Sequence, residues 1–195
     1  MDKVVAIFGG TFNPIHKGHV EMAREVLCLP QVERLIIMPT FLPPHKAASS
    51  LVPGEDRLNM CKIALEGLKN VEFSDLELSR EGVSYTYDTV CELGEKLNGR
   101  IALVLGGDMV TTFTGWYRFK DILKLVDLIV FRRIGVNNSE FDKAIENLRD
   151  EGGRITVIDS PISDISSTEV RKGEWDLLPE KVLEYIKQKG LYGEK

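Results

Sequence analysis

Residues 4–23 read VVAIFGGTFNPIHKGHVEMA, an apolar run that breaks on Gly9-Gly10 and then carries His16 and His19 into what reads as the first turns of a helix. Residues 4–8 are apolar at every position, which suits a strand covered on both faces rather than one with a wet side. The same signature recurs in IALVL at 101–105, again followed at once by a glycine pair, Gly106-Gly107. Two such strands mark the centre of an open parallel sheet. In such a sheet ligands bind beyond the carboxyl ends of the strands, where the winding reverses.

Further apolar runs fit strands: RLIIM ending at Met38, VEFSDLEL beginning at Val71, LIVF ending at Phe131 and ITVI ending at Ile158. Between them Val20, Ala23 and Leu27, then Leu58, Cys61, Ala64, Leu65 and Leu68, then Val90, Leu93 and Leu97 keep helical spacing. This alternation predicts an α/β fold, a Rossmann-like doubly wound parallel sheet with helices on both faces. The stretch LLPEKVLEYIKQKGLY reads as a closing helix capped by Gly190. No repeat, low-complexity tract or linker interrupts the chain, so residues 1–195 are read as one domain.

The chain has 195 residues and a formal net charge of -5, enough length for a real core. No Lys/Arg-rich run points to a general nucleic-acid or membrane-surface binder, so cations for a polyanionic ligand must be concentrated locally. Cys28, Cys61 and Cys91 are too far apart for a metal or redox pair and read as inert thiols in a reducing cytosol. No apolar run approaches the roughly 18 residues of a membrane span, so a cytoplasmic chain is expected. Self-association into a homo-oligomer is left open.

Asn13 before Pro14 predicts a helix start, with Asn13 as cap and Pro14 at the first helical position. His16 and His19 then share a face near the helix mouth, where unpaired amides favour anions. Gly18 costs about 1 kcal/mol of helix propensity relative to Ala, which points to a close approach to the backbone. The helix end itself contributes only about 0.3 to 2 kcal/mol toward a charge, so a triphosphate needs further cations. With no G-x-G-x-x-G after the first strand and no G-x-x-x-x-G-K-[ST] anywhere, neither a dehydrogenase nor a P-loop NTPase is indicated.

ISSTEVR supplies some of what is missing. Ser166 and Glu169 have capping-box spacing, and Ser166, Ser167, Thr168 and Arg171 together offer hydroxyls and a guanidinium for terminal phosphates. The proline loop MPTFLPPHKAASS is either a plain turn or a carrier of Lys46 over the pocket. In GGD, Asp108 reads as a helix cap or as a carboxylate for ribose hydroxyls or a hydrated metal. Trp116 and Tyr117 in TGWYRF are core or a stacking surface, and SYTYDT marks a helix start at Thr86.

Taken in order, GGTFNPIHKGH, PPHK, SYTYDT, GGD, TGWY, VFRR, ISSTEVR and YIKQKGLY resemble bacterial nicotinate-nucleotide adenylyltransferases of the H-x-G-H nucleotidylyltransferase superfamily over nearly the whole chain. The resemblance implies transfer of the adenylyl group of ATP to nicotinate mononucleotide, giving deamido-NAD and pyrophosphate. It implies Mg2+ carried with ATP and no metal ligand from the protein. It also assigns roles. His19 would contact the α-phosphate and His16 the bridging and leaving phosphates, with Lys46 between the substrates. Ser166, Ser167, Thr168 and Arg171, next to Ile165, would hold the triphosphate tail. Gly9, Gly10, Thr11 and Phe12 would line the adenosine side, with Asp108 near the ribose and Arg133 nearby. Trp116 would stack on the pyridine ring while Thr86 and the amides of Tyr87 and Tyr117 read its carboxylate. Asn13 stands where many members carry Asp.

Other readings share parts of this pattern. Pantetheine-phosphate adenylyltransferases usually have a hydroxyl residue in place of His16, and cytidylyltransferases lack PPHK and the Trp-Tyr pair. Nicotinamide mononucleotide is the harder competitor as acceptor. A nucleotide sensor without turnover would not need every phosphate contact, and class I aminoacyl-tRNA synthetases are longer and carry a K-M-S-K-S element.

Overall fold

The computed structural model describes residues 3–42, 51–80, 82–97, 99–132, 138–159 and 165–193. Its strands are β1 (Val4–Gly10), β2 (Val32–Pro39), β3 (Val71–Phe73), β4 (Arg100–Gly106), β5 (Val126–Phe131) and β6 (Arg154–Ile158). They form one sheet in the order β3-β2-β1-β4-β5-β6, with every pairing parallel. The chain winds outward from β1 to β3, then crosses back to β4 and winds outward again. The reversal therefore lies between β1 and β4, the two strands that end in glycine pairs.

Alternation along β1 explains the unbroken apolar runs. Val4, Ala6 and Phe8 enter one core, with α1 (Lys17–Cys28), α2 (Gly54–Ala64) and α9 (Glu180–Lys189) supplying Ala23, Met60 and Ile186. Val5 and Ile7 enter the other, against Val90 and Leu93 of α4 (Thr86–Lys96), Ile122 of α6 (Phe119–Leu125) and Ile145 of α7 (Asn138–Asp150). A strand covered on both faces has no use for polar positions. The doubly wound expectation is met.

Three boundaries differ from expectation. VEFSDLEL is not one strand: β3 stops at Phe73, and Leu76 opens α3 (Leu76–Arg80). Ser74 ends the strand by accepting from the Leu76 amide through its own hydroxyl, a local bond that turns the chain. Helical spacing that ran to Leu68 ends at Ala64, and Leu68 packs on the core from a turn that includes Gly67 at φ 83°. The first helix starts at Lys17 rather than Pro14, for a reason that belongs to the site. The closing helix ends as expected on Gly190, whose φ of 62° is the left-handed cap that glycine tolerates best. Among the described residues no helix is long and apolar enough to cross a membrane.

Candidate functional site

Beyond β1 the chain turns sharply at Phe12, a non-glycine residue at φ 45°. Such a conformation persists only where the surroundings impose it. Here they do: the Phe12 ring is buried, meets Phe8 edge-on at 5.4 Å and meets His19 at 5.1 Å. Gly10 makes room for it, since a Cβ there would stand 3.0 Å from the ring. Gly9 faces open space, leaving bare backbone at the mouth of the crevice.

Asn13 does not cap α1. Its side-chain oxygen accepts from the amide of Val52 at 3.2 Å and the hydroxyl of Tyr192 at 2.8 Å, partners far along the chain. His16 is the cap instead, with extended φ and ψ of -135° and 173°. Its amide donates to Nδ1 of His19 at 3.3 Å, a histidine version of the capping box. The two imidazoles stack with centroids 3.6 Å apart and planes 28° from parallel. His16 is buried and His19 half-buried, so the pair presents one of its members toward solvent. Gly18 is buried.

The last short helix, α8 (Ser167–Arg171), locks onto this loop. Ser166 caps it with the expected box: the Glu169 amide donates to the Ser166 hydroxyl oxygen, and the Glu169 carboxylate accepts from the Ser166 amide at 2.7 Å. Ser167 Oγ donates to the Pro14 carbonyl at 2.8 Å. Arg171 donates to the Asn13 carbonyl at 2.6 Å, to its own helix at the Ser167 carbonyl, and to Thr168 Oγ1. Val170 anchors α8 in the core and Ile165 packs beside it. A guanidinium and two hydroxyls are thereby fixed on the loop that leads into the histidine pair.

Across the crevice, α5 (Gly107–Thr112) begins directly after β4. Its cap is Gly106, so Asp108 is the second residue of the helix and is exposed. A Cβ on Gly107 would lie 3.1 Å from the Phe131 carbonyl, which explains the second glycine of the pair. Further out, Thr86 is the first residue of α4, as expected, with Tyr85 before it as cap. Tyr117 lies 5.1 Å from Tyr85 and 6.1 Å from Tyr87 between ring centroids, and the Arg118 guanidinium sits 4.0 Å over the Tyr87 ring. Trp116 is half-buried against Phe113 at 4.8 Å.

Lys46 and Arg133 lie outside the described residues. Among the described residues no three His, Cys, Asp or Glu side chains converge on a point that could hold a metal ion. The cysteines are unpaired thiols; burial pushes that of Cys61 up, which keeps it protonated and unreactive.

Two residues that organise the site escaped sequence reading, Arg57 and Tyr192. The signal for Arg57 was a charged residue in helical register with the apolar Met60 and Cys61, on the face of α2 that turns inward. For Tyr192 it was the last position of YIKQKGLY, which marked the resemblance without assigning the residue a role.

A cytidylyltransferase-like family model matches residues 7–173. The chain is 35% identical over 199 residues to a protein of Listeria monocytogenes serotype 4a named "Probable nicotinate-nucleotide adenylyltransferase", covering 100% of both. It is 39% identical over 195 residues to a protein of that name from Caldicellulosiruptor bescii, covering 96% of this chain and 98% of the relative. Among solved structures, nicotinic acid mononucleotide adenylyltransferase of Plasmodium falciparum, complexed with NaAD, has the same fold: TM-score 0.82 at 21% identity, over 99% of this chain and 98% of that one.

Proposed function

We propose a reaction for a chain that belongs to the nicotinate-nucleotide adenylyltransferase family: the adenylyl group of ATP passes to nicotinate mononucleotide, giving nicotinate adenine dinucleotide and pyrophosphate. The observation that carries this reading is the His16–His19 stack at the end of a loop that leaves β1 next to the point where the sheet reverses and that Arg171 grips at the Asn13 carbonyl. That is a site for phosphates, since it combines imidazole and guanidinium donors with bare backbone.

The acceptor phosphate is already ionised at neutral pH, so the reaction needs no protein base. A phosphate oxygen of the mononucleotide attacks the α-phosphorus of ATP in line. As that O–P bond forms, the bond to the β-phosphate oxygen breaks, and its electron pair leaves with pyrophosphate. The protein's part is alignment and charge stabilisation. His19, the more exposed member of the stack, donates to the α-phosphate as negative charge builds there. His16 serves the bridging and leaving oxygens. Arg171, Ser166, Ser167 and Thr168 hold the tail, and Lys46 bridges the substrates. Gly9, Gly10, Thr11 and Phe12 border the adenosine, with Asp108 at the ribose and Arg133 beside it. Mg2+ enters as part of the MgATP substrate; one nearby carboxylate and the phosphates themselves suit an ion that keeps most of its waters.

At the acceptor end, Trp116 stacks on the pyridine ring while Thr86 and the Tyr87 and Tyr117 amides receive its carboxylate. Charge-assisted bonds from amides favour the acid over the amide. The test is pyrophosphate release with MgATP and either nicotinate or nicotinamide mononucleotide at equal concentration. A strong preference for the acid supports the reading. Equal use of both removes the carboxylate-reading role, and no release with either overturns the reaction.

A further inference from the structure

Arg57 is the fourth residue of α2, on the face that also buries Met60 and Cys61, and only 2% of it is exposed. A guanidinium at that depth is costly unless its charge is balanced or all its donors are used. Among the described residues no carboxylate pairs with it. Every bond it donates ends on a backbone carbonyl: Nε to Val52 at 3.1 Å, Nη1 to Thr11 and to Thr40 at 2.7 Å each, and Nη2 to Phe41 at 3.5 Å. Burial lowers its pKa, the cost expected of a cation in this setting.

The placement of those carbonyls is what matters. Thr11 is the first residue beyond β1 and leads through Phe12 to the histidine stack, while Thr40 and Phe41 are the first residues beyond β2. One planar fork therefore ties together the loops delivered by two neighbouring strands, at the end of the sheet where the site lies. The Thr40 amide adds a bond to the Gly10 carbonyl at 2.9 Å, so the tie runs through backbone in both directions. An apolar side chain of similar size would fill the same space without the desolvation cost. Lysine would keep the charge but has no fixed fork with which to span several carbonyls. What arginine supplies here is a defined spacing between the two loops.

We propose that Arg57 is a positioning residue for adenylyl transfer, setting the Thr11 loop, and through it His16 and His19, at a fixed distance from the segment that follows β2. This rests on the reaction proposed above. It touches no substrate; it acts through the backbone of residues that do.

The experiment compares wild type, Arg57→Met and Arg57→Lys by steady-state kinetics and amide hydrogen exchange, after circular dichroism and thermal melts establish which variants fold. Loss of alignment acts on the transition state more than on binding. In folded Arg57→Met we expect kcat to fall about 30-fold with both KM values within about threefold, because a displacement of about 1 Å can cost on the order of 100-fold. Arg57→Lys should recover part of that loss. Exchange should rise about tenfold together in the segments 9–16 and 38–42 in either variant, while 101–105 keeps its protection. A purely structural arginine predicts a lower melting temperature with kcat per folded molecule unchanged, so kcat within twofold of wild type in a folded Arg57→Met overturns the proposal. Should Arg57→Met not fold, the same twofold criterion applies to Arg57→Lys. If wild type itself releases no pyrophosphate with nicotinate mononucleotide, the reaction reading fails on its own, and exchange alone judges Arg57. Unchanged exchange in the two segments then overturns the positioning role.

Discussion

The two sides of the crevice are built differently. On the nucleotide side, residues 11–16 are held by hydrogen bonds that arrive from four remote places: Val52, Arg57, α8 and Tyr192. Most of those bonds end on backbone carbonyls, and Phe12, Asn13 and His16 are buried. On the acceptor side, Tyr85, Tyr117 and Tyr87 meet one another as rings, with Tyr117 54% and Tyr85 39% exposed. Exposed rings held by ring contacts can shift to suit a ligand, whereas carbonyls at 2.6 to 2.8 Å from a guanidinium or hydroxyl cannot shift without losing bonds. On the site assignment proposed above, the chemical step is thus pre-arranged in the folded chain and the acceptor side is left to adjust. Damage on the first side should lower kcat, and damage on the second should raise KM.

The largest effect tests the first half of that contrast. His19→Ala should lower kcat by about 100- to 1,000-fold, the range found when one preorganised donor to a developing charge is removed, with the circular dichroism spectrum unchanged. Near-normal turnover in that variant would sink the mechanism. Arg171→Met should come next. It removes the donor to the Asn13 carbonyl as well as the cation proposed for the phosphate tail. We expect kcat/KM for ATP to fall by about 30- to 100-fold, as for truncation of one partner of a charged contact, while KM for nicotinate mononucleotide moves less than threefold. Equal losses for the two substrates would erase the division between the sides.

Trp116→Ala probes the other half. Removing an aromatic stacking surface should raise KM for nicotinate mononucleotide about tenfold, the effect of roughly 1.4 kcal/mol, with kcat within threefold. A fall in kcat with KM unchanged would show that the acceptor side is as rigid as the nucleotide side, and the comparison would break.

The same contrast governs what could be read in advance. The two central strands were legible because continuous apolar runs followed by glycine pairs have few other uses, and the Ser166 cap was legible because its partner is three residues away. Asn13 was misread because the residue types that favour capping also favour any other hydrogen bond; its side chain reaches Val52 and Tyr192 instead of the next turn. Arg57 left little trace for a related reason, and Tyr192 only its place in YIKQKGLY. Arg57 binds main-chain carbonyls, which every residue carries, so nothing in the identity of Thr11, Thr40 or Phe41 announces it. Motifs record side chains that face the ligand; the bonds that hold the motif in place are largely silent.

Tyr192→Phe makes the smallest change and the finest test, since it deletes one hydroxyl from the nucleotide side and leaves the ring. Asn13 keeps the Val52 amide, so the loss should be about 0.5 to 1.5 kcal/mol of stability and a two- to threefold lower kcat. The pH dependence sharpens this. Burial holds the Tyr192 phenol above its ordinary value, so the folded protein keeps this proton when the unfolded chain has begun to lose it. The contribution is therefore complete below the unfolded value of about 10 and is lost as pH rises from there toward the folded value. Urea unfolding at pH 7 should show wild type more stable than the variant, and at about pH 10.5 the gap should narrow, because only wild type carries this phenol. A gap that stayed constant would show that the hydroxyl ionises as readily in the folded protein as in water, and would sink the role given to its burial and its bond to Asn13.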